Sequence, residues 1–378
     1  MTLAAVNYAG PNYANILETA KLYAKWINAR GGIKGHPLHV TTCDDQGDPT
    51  RTTECGRQAI ADHDVAVVGS FTINGNAIVP ELAANHVAWF GICCAESSDE
   101  LTSPDVQQIG NVLAGLSALA AKAAVDGCKK IAYVGSGTSA ENQFAFQLVK
   151  NGLKSVNGPP LDKTVLVPIT AQDYSPEVAS ATSGTDCIIG GLAQAQWPSF
   201  MPPFVSSGAH QRLYGFQGNL DITITKNFPQ ATQGAVVAGV YSDLSLPAWA
   251  DYRAAIAQYH PPSKLNYNSL GGLGTWAAYV AFNQIVSSMT APITAPNFLA
   301  AAQKATVQLR GMTASNVDFA DHWTPLGGNF LTLVNRTATF DTVKNGKLVP
   351  FQNGKFYDMT NAMLGQPLSA ANTPPAGD

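Results

Sequence analysis

The sequence predicts an α/β protein made of two doubly wound parallel-sheet domains, and three observations indicate this fold class. Short apolar and β-branched runs alternate with segments of helical periodicity along most of the chain. The alternation begins again after about residue 112, with no detectable repeat of the first array. At 378 residues the chain also exceeds the usual size of a single hydrophobic core. We therefore expect two open sheets, each covered by helices on both faces.

Local patterns define the first array. Apolar residues recur at spacings of three and four from Ile16 to Ile27, which predicts a helix with one buried stripe. Gly31-Gly32 and the turn through Pro37 mark the end of that helix. The predicted strands of this array lie at 3–8, 38–43, 65–68 and 87–90, and its helices at 14–30, 49–61 and 76–85.

The second array is followed by helices and a hairpin. Its predicted strands lie at 131–134, 164–169, 187–189, 212–214 and 235–241, with helices at 113–126, 141–156 and 198–206 and one after Ser175. Further helices are predicted at 247–259, 273–289 and 295–305. Strands at 337–340 and 348–356 flank Asn345-Gly346, a dipeptide that favours a tight hairpin turn.

These elements suggest how the two domains divide the chain. We expect the late helices to return to the first domain and the hairpin to return to the second. The first lobe is then 1–110 plus 243–326, and the second lobe is 111–242 plus 327–378. Three crossings, near 109–111, 241–244 and 324–330, would form a three-segment hinge.

Composition and charge exclude several classes of partner. The net charge of −4 and the pI near 6.0 give no electrostatic footprint for nucleic acid or for an anionic membrane surface. No apolar stretch approaches the roughly 20 residues that span a bilayer. Met1-Thr2-Leu3 leads directly into the first strand, so we expect any export signal or lipid anchor to lie outside this chain.

The motifs that carry enzyme chemistry are missing or incomplete. The segment Gly135–Ala140 has the form G-x-G-x-x-A, but no carboxylate follows the next strand, so we interpret it as a tight βα turn rather than a dinucleotide site. There is no G-x-S-x-G or H-E-x-x-H. Asp44, Asp45 and Asp48 lack the order of a calcium loop and are expected to cap and brace the next helix. We expect a binding protein with no catalytic residues, no cofactor and no metal.

Polar, glycine-rich loops remain at the predicted carboxyl ends of the strands. In open α/β sheets, ligands bind at this edge. With two such sheets, the cleft between the domains is the expected site for a small molecule.

Several of these segments resemble a known family. They are INARGGIKG at 27–35, DDQGDP at 44–49, Val67-Val68-Gly69, Glu100-Leu101-Thr102, IAYV at 131–134 and Gly190-Gly191. Together they resemble the Leu/Ile/Val-binding proteins, the type I periplasmic solute-binding proteins of ABC importers. The resemblance covers most of the chain. It implies the periplasmic binding protein type I fold, an extracytoplasmic location in the periplasm or at the cell surface, and ABC permease subunits as partners.

The resemblance also implies a set of ligand-binding residues. In this family, loops after strands three and four hold the ligand carboxylate, which places that role on Thr72, Ile73, Asn74, Ala95 and Ser97. Neutral donors of this kind suit a carboxylate because they favour the anion without a buried countercharge. Tyr13 is a candidate for the aromatic wall of the site.

The second domain differs from the family pattern. Gln217 stands where relatives have an acidic residue for the ligand ammonium, and Ala140, beside Ser139, and Leu192 stand where relatives have aromatic residues. Glu96, Glu141 or Asp221 are alternative carboxylates for an ammonium group. The expected ligand is therefore either an amino acid or an aromatic or aliphatic acid, or an amide, without an α-amino group.

Six cysteines lack the spacing of a zinc site. An even number in an extracytoplasmic protein favours disulfides, and we expect Cys43–Cys55 across the acidic loop and Cys128–Cys187 between neighbouring strands. Six reduced thiols remain an alternative, and Cys93 and Cys94 receive no assignment.

Two other functions stay open. A ligand-sensing regulator of the same fold would bind an amide or an amino acid and would work with a cytoplasmic or membrane partner. An NAD-dependent enzyme would require stabilisation by a nicotinamide cofactor.

Overall fold

The computed structural model describes residues 1–7, 12–92, 94–95, 97–110, 112–137, 139–168, 173–325 and 330–377, with side chains in the first helix after 137 described from Asn142 onward. The chain forms two compact units. Unit 1 comprises Met1–Asn111 and Leu244–Asn335, and unit 2 comprises Val112–Asp243 and Arg336–Asp378. The chain therefore passes between the units three times.

Helices and strands alternate through both units. The helices are α1 (Ala14–Asn28), α2 (Pro49–Ala61), α3 (Gly75–Ala84), α4 (Ser98–Thr102), α5 (Val112–Val125), α6 (Ser139–Ser155), α7 (Ser175–Thr182), α8 (Trp197–Ser206), α9 (Ile222–Asn227), α10 (Ala250–Tyr259), α11 (Leu270–Ser288), α12 (Ala295–Ala302) and α13 (Thr360–Met363). The strands are β1 (Thr2–Ala4), β2 (Thr42–Asp44), β3 (Ala66–Val68), β4 (Ala88–Ile92), β5 (Val106–Gln108), β6 (Ile131–Ser136), β7 (Leu161–Val167), β8 (Cys187–Gly191), β9 (Arg212–Phe216), β10 (Val236–Gly239), β11 (Thr306–Val307), β12 (Val317–Asp318), β13 (Thr337–Lys344), β14 (Lys347–Pro350) and β15 (Tyr357–Asp358).

The strands of unit 1 follow the order β2-β1-β3-β4-β5. The β1–β2 and β3–β4–β5 ladders are parallel. Hydrogen bonds from Val68 N–H to Met1 O (2.8 Å) and from Phe71 N–H to Leu3 O (3.2 Å) place β1 beside β3. The order reverses between β1 and β3, which is the point where doubly wound sheets bind ligands.

Unit 2 repeats this arrangement and adds an antiparallel hairpin. Its sheet has the order β7-β6-β8-β9-β10-β13-β14, parallel as far as β10 and antiparallel beyond it, and β15 also pairs with β13. Asn345 and Gly346 have φ values of 52° and 71°, as a type I′ turn requires. The structure thus confirms the α/β class, the two doubly wound sheets and the terminal hairpin.

The remaining differences from the predicted elements lie at boundaries and short pieces. Helix α2 has the predicted bounds, whereas β2 begins at Thr42 and not at residue 38, because its ladder pairs Thr42 with Thr2. The short elements α4, β5, α9 and α13 were not predicted. Hydrogen bonds from Thr332 and Asn335 to Leu101 and Ile109 place 330–335 with unit 1, whereas the sequence put the last crossing between 326 and 327.

Helix α11 packs against the carboxyl ends of β3 and β4 in the unit 1 sheet. Gly69 and Gly91, which end β3 and interrupt β4, have positive φ values of 60° and 74°. A Cβ at Gly91 would lie 2.4 Å from the Cβ of Ala278, and the Thr275 hydroxyl donates to Gly69 O at 2.7 Å. This close approach fixes the two strands immediately before the loops that follow them.

Each unit has its own hydrophobic core. In unit 1, Val67 and Trp89 pack with Ile78 and Leu82 of α3. In unit 2, apolar residues of the parallel strands pack against α8, whose Trp197 is fully buried. Within the described residues, no helix is both long enough and apolar enough to cross a membrane.

Both predicted disulfides are present. Cys43–Cys55 joins β2 to α2, and Cys128–Cys187 joins the residues before β6 to the start of β8, each with a Cα–Cα distance of 5.9 Å. Ile131 pairs with Cys187 in the β6–β8 ladder, which confirms that the two strands are neighbours. Cys94 is buried and outside both bridges, and Cys93 lies outside the described residues.

A buried ion pair connects the carboxyl-terminal segment to unit 2. Lys122 and Asp126 of the α5 region have no exposed side-chain surface and form a salt bridge. Gly377 accepts a hydrogen bond from Lys122 Nζ at 2.9 Å and donates its N–H to Asp126 Oδ1 at 3.0 Å. Tyr214 donates to the other carboxylate oxygen at 3.0 Å. Both charges thereby receive the partners that burial demands.

The two disulfides close loops of different length, which predicts different contributions to stability. The paired residues are separated by 12 positions in Cys43–Cys55 and by 59 in Cys128–Cys187. From loop-closure entropy, we expect replacement by alanine to cost about 3 kcal/mol for the first pair and about 4 kcal/mol for the second. Urea unfolding of the two double-alanine variants measures this. Unfolding midpoints equal to that of the unaltered protein would contradict the expectation.

A second prediction concerns pH. Asp341 of β13 is buried, and this burial, together with nearby Asp243, raises its pKa from 3.8 to about 8. The folded state therefore holds a proton that the unfolded state releases. The contribution of this proton to the unfolding free energy is complete below the unfolded pKa of 3.8. It decreases as pH rises above that value and is lost once pH passes about 8. We expect Asp341→Asn to flatten the fall in unfolding free energy between pH 5 and about 8. Urea titrations across this range test the slope, and equal slopes for the two proteins would refute the assignment.

Candidate functional site

The candidate site in unit 1 lies at the carboxyl ends of β3 and β4. The loop after β3 carries Thr72, Ile73 and Asn74, and the loop after β4 carries Ala95 and Ser97. The two strands are adjacent and parallel, so both loops lie at the same edge of the sheet.

Asp45 anchors the loop after β3. Its buried carboxylate accepts hydrogen bonds from the Thr72 hydroxyl (2.6 Å), the Thr52 hydroxyl (3.0 Å) and Gly47 N–H (3.2 Å). Thr72 Oγ1 in turn accepts the Asn74 N–H at 3.1 Å. Because the Asp45 carboxylate is buried away from water, hydrogen-bond donors of the protein must satisfy it. This hydrogen-bond network therefore determines the conformation of the loop.

Glu100 anchors the loop after β4. Ser97 and Glu100 form a capping box at the start of α4, in which Ser97 N–H and Oγ each lie 3.1 Å from Glu100 Oε2. Trp89 Nε1 donates to the other oxygen at 3.1 Å, and Glu100 is 1% exposed. A Cβ at Gly75, the first residue of α3, would lie 2.2 Å from Glu100 Oε2, so the carboxylate also packs on the loop after β3.

Apolar groups lie beside these polar anchors. The Tyr13 ring centroid is 4.7 Å from that of Phe71. Ile73 is 49% exposed, which makes it the most exposed large apolar side chain among the described residues. Ala95 packs on the unit 1 core. The edge therefore offers an apolar surface next to hydrogen-bonding loops.

The acidic loop after β2 braces the scaffold, as predicted. Asp48 caps α2 by accepting from Arg51 N–H at 3.0 Å. Burial tends to raise the pKa of Asp44, but hydrogen bonds from Val6, Gln46 and Asn7 outweigh it and lower that pKa. Each carboxylate of the loop thus receives donors from the protein itself.

In unit 2, Gln217 follows β9 directly. It is 3% exposed, and its Nε2 donates to Tyr241 O at 3.1 Å. Its Oε1 accepts no hydrogen bond from the described residues. A Cβ at Gly239 would lie 2.5 Å from this oxygen, so glycine is required beside it. Gln217 is therefore a buried, neutral side chain at the position to which the family resemblance assigns the ligand ammonium.

Asp221 is the alternative carboxylate for a ligand ammonium in this loop, but it accepts hydrogen bonds from other residues of the protein. It caps α9 by accepting from Thr223 N–H (2.9 Å) and Ile224 N–H (3.3 Å), and its other oxygen accepts from Gln194 Nε2 at 2.7 Å. Only 1% of Asp221 is exposed. Its charge is thus compensated without a ligand.

A neutral network lines the ends of β6 and β8. Tyr133 donates to Asn142 Oδ1 at 3.3 Å, Asn142 Nδ2 donates to Ser136 O at 2.7 Å, and Gln196 Nε2 donates to the Ser136 hydroxyl at 3.0 Å. Burial raises the pKa of Tyr133, so it stays a protonated donor. A Cβ at Gly135 would meet Asn142 Oδ1 at 2.4 Å, which explains the first glycine of the G-x-G-x-x-A motif by packing.

The other predicted site residues are placed as follows. Leu192 is 1% exposed and packs in the unit 2 core. Ser139 and Ala140 begin α6, but their side chains and that of Glu141 lie outside the described residues, as does Glu96. The roles of Asp45 and Glu100 were not predicted, although the Ser97-x-x-Glu100 spacing is itself a capping-box signal.

Within the described residues, one group of three potential metal-ligating side chains comes together, Cys128, Asp186 and Cys187. The two sulfurs are joined in a disulfide, so they are not thiolate ligands.

The chain belongs to the periplasmic binding protein family, whose sequence profile matches residues 8–335. This family consists of binding proteins rather than enzymes. No curated protein sequence matches the chain at a significant level.

Solved structures share the type I fold. A fatty acid ABC transporter substrate-binding protein from Thermomonospora curvata has a TM-score of 0.74 and 15% identity, covering 98% of this chain and 95% of its own. A leucine binding protein from Thermotoga maritima has a TM-score of 0.72 and 14% identity, covering 93% and 97%. A solute binding protein of an R. palustris ABC transporter, in complex with benzoate, has a TM-score of 0.69 and 15% identity, covering 98% of each chain.

These likenesses confirm the periplasmic binding protein type I fold. They do not confirm the narrower Leu/Ile/Val-binding assignment, because the similar structures include a fatty acid transporter protein, a leucine binding protein and a complex with benzoate.

Thr72 provides a test of how the unit 1 loop is held. Thr72→Val keeps the shape of the side chain but removes the donor to buried Asp45, so we expect a loss of about 1–3 kcal/mol in unfolding free energy. Thr72→Ser keeps the hydroxyl and serves as the matched control. Urea unfolding compares the variants, and equal stability of the two would show that the Asp45 bond does not hold the loop.

Proposed function

We propose that this chain is the solute-binding component of an ABC importer and binds a small apolar carboxylic acid that lacks an α-amino group. The observation that carries this proposal is the neutral character of the ligand edge in unit 2. The family resemblance places Gln217 where relatives have an acid, and the Asp221 carboxylate is already bound to α9 and Gln194. A ligand ammonium would be costly to bury beside these groups.

The unit 1 edge suits the remaining parts of such a ligand. Asp45 and Glu100 hold the loops after β3 and β4 through the Thr72 hydroxyl and through the N–H and hydroxyl of Ser97. In this proposal the other backbone N–H groups of these fixed loops are the donors to the ligand carboxylate. Ile73 and Tyr13 supply apolar surface for an aliphatic or aromatic body. The benzoate complex of a structurally similar protein agrees with a ligand of this class.

Two disulfides support an extracytoplasmic location, because such bonds persist in oxidising compartments. In this proposal the protein delivers its ligand to ABC permease subunits and performs no covalent chemistry.

A ligand-sensing regulator is the second candidate, and one observation favours it. Gln217 is a neutral amide at the position that the family resemblance assigns to the ligand ammonium, and a neutral side chain there suits an amide ligand better than an ammonium group. Amide binding without carboxylate binding would support the regulator.

A thermal-shift screen with matched ligands tests the proposal. Each set contains an acid, its α-amino analogue and its amide: 4-methylpentanoate, leucine and 4-methylpentanamide; 3-phenylpropanoate, phenylalanine and 3-phenylpropanamide. We expect only the acids to raise the melting temperature, since a ligand at a hundredfold excess over its Kd adds about 2.7 kcal/mol to unfolding.

The variant Gln217→Glu supplies the complementary test. A carboxylate at 217 compensates a ligand ammonium, so we expect leucine or phenylalanine to stabilise this variant more than the unaltered protein. Stabilisation of the unaltered protein by α-amino acids alone would overturn the ligand class. Lack of any shift by these ligands would overturn the proposed function.

A further inference from the structure

The Cys43–Cys55 disulfide closes the segment that carries Asp45, whose carboxylate holds the loop after β3. The bridge joins β2 to α2 across 12 positions, and Asp45 lies just after Cys43 in this segment. Thr52, which donates to Asp45 at 3.0 Å, lies in α2 one turn before Cys55. Both ends of the bridge are therefore close along the chain to groups of the Asp45 network.

Helix α2 also contacts α3, the helix that follows this loop. Thr53 Oγ1 donates to Ala77 O at 3.1 Å. A Cβ at Gly56 would lie 3.0 Å from Ile78 Cγ1, so the two helices approach closely beside Cys55. A shift of α2 would therefore be transmitted to the first turns of α3 and to the loop before them.

Few other contacts fix β2 against α2. β2 is a strand of three residues at the edge of the unit 1 sheet, and among the described strands it pairs with β1 alone. A cross-link restricts the freedom of the segment that it closes. Without the bridge, β2 and α2 would be joined by the acidic loop and its hydrogen bonds.

The two disulfides differ in accessibility. Cys43 is partly exposed, whereas Cys55 is 1%, Cys128 is 4% and Cys187 is 5% exposed. In thiol–disulfide exchange a thiolate must reach a sulfur, and exposed disulfides are the ones most easily reduced. The Cys43–Cys55 bridge is thus approachable from the side of Cys43, while Cys128–Cys187 is buried at both ends.

We propose that Cys43–Cys55 is a redox-sensitive switch that controls the loop after β3. The reductant is a dithiol. Its thiolate attacks Cys43 Sγ, the S–S bond breaks, and Cys55 takes the electron pair and a proton. The second thiol of the reductant then displaces Cys43 from the mixed disulfide, so the reductant becomes a disulfide and the protein holds two thiols. The freed α2 no longer holds Asp45 against Thr72, and the loop loosens.

As a control of ligand binding, this switch rests on the proposed function, in which Thr72 to Asn74 belong to the site. The reduction of the bridge and the response of the loop need no ligand. Both are therefore measured on the ligand-free protein, so that their failure is separate from a failure of the thermal-shift screen.

Limited reduction followed by alkylation tests the selectivity. The folded protein is treated with dithiothreitol, its thiols are trapped with N-ethylmaleimide, and the labelled peptides are mapped by mass spectrometry. A sample trapped before reduction gives the background of the remaining cysteines. We expect Cys43 and Cys55 to be labelled at a dithiothreitol concentration about tenfold lower than Cys128 and Cys187 require. Equal susceptibility of the two bridges, or earlier labelling of the second, would overturn the proposal.

Amide hydrogen exchange of Asn74, followed by NMR, tests the effect on the loop, because Thr72 Oγ1 accepts this N–H. We expect exchange about tenfold faster in the selectively reduced protein and in Cys43→Ala/Cys55→Ala, and unchanged exchange in Cys128→Ala/Cys187→Ala. The reduced protein supplies the measurement if the first double variant does not fold. Equal Asn74 exchange before and after reduction, or unfolding of the whole protein on reduction, would show a structural bridge and not a switch.

Thr72→Val distinguishes the route through Asp45 from general loosening. This variant lacks the hydroxyl that connects Asp45 to Asn74, so we expect fast exchange before reduction and no further rise after it. Thr72→Ser keeps the hydroxyl and should respond to reduction as the unaltered protein does. An equal rise on reduction in both variants would contradict the proposal, because the loop would then respond without Asp45.

Discussion

Two buried carboxylates, Asp45 and Glu100, are the constraint on which the loops after β3 and β4 of unit 1 depend. Each is nearly or wholly removed from water, and each must therefore be satisfied by donors from the protein. Thr72 and Ser97 supply those donors from the two loops that follow β3 and β4. The loops consequently keep one conformation, because any other would leave a charge without partners. The hydroxyl groups that sequence resemblance assigns to a ligand also hold the loops that present them.

Unit 2 builds its edge by a different chemistry. Apart from Asp221, the polar groups placed at this edge are neutral amides and hydroxyls, and glycines make room for them. Gly239 admits Gln217 Oε1, and Gly135 admits Asn142. Neutral groups can lie close together without repulsion, so the edge tolerates dense hydrogen bonding. The one carboxylate described in the loop after β9, Asp221, is committed to α9.

Local signals in the sequence predicted most of the fold. Pro49 after the Asp48 cap gave α2 its bounds, and Asn345-Gly346 gave the hairpin, because both depend on residues next to each other. The limits of β2 depend on pairing with Thr2, 40 positions away, and no local pattern encodes that register. The candidate loops were located correctly at strand ends. The bond from Thr72 to Asp45, 27 positions apart, and the burial of Leu192 are tertiary facts that single-sequence patterns do not contain.

The contacts of Gly377 with Lys122 and Asp126 imply that the two units complete folding at different times during synthesis. A chain made from its amino terminus completes the segments of unit 1 at Asn335. Unit 2 must wait for Gly377 before its buried ion pair has all its partners. Because domains fold as units once their parts are available, unit 2 is the later to complete during synthesis. Until then the buried pair of Lys122 and Asp126 lacks the two hydrogen bonds that Gly377 supplies.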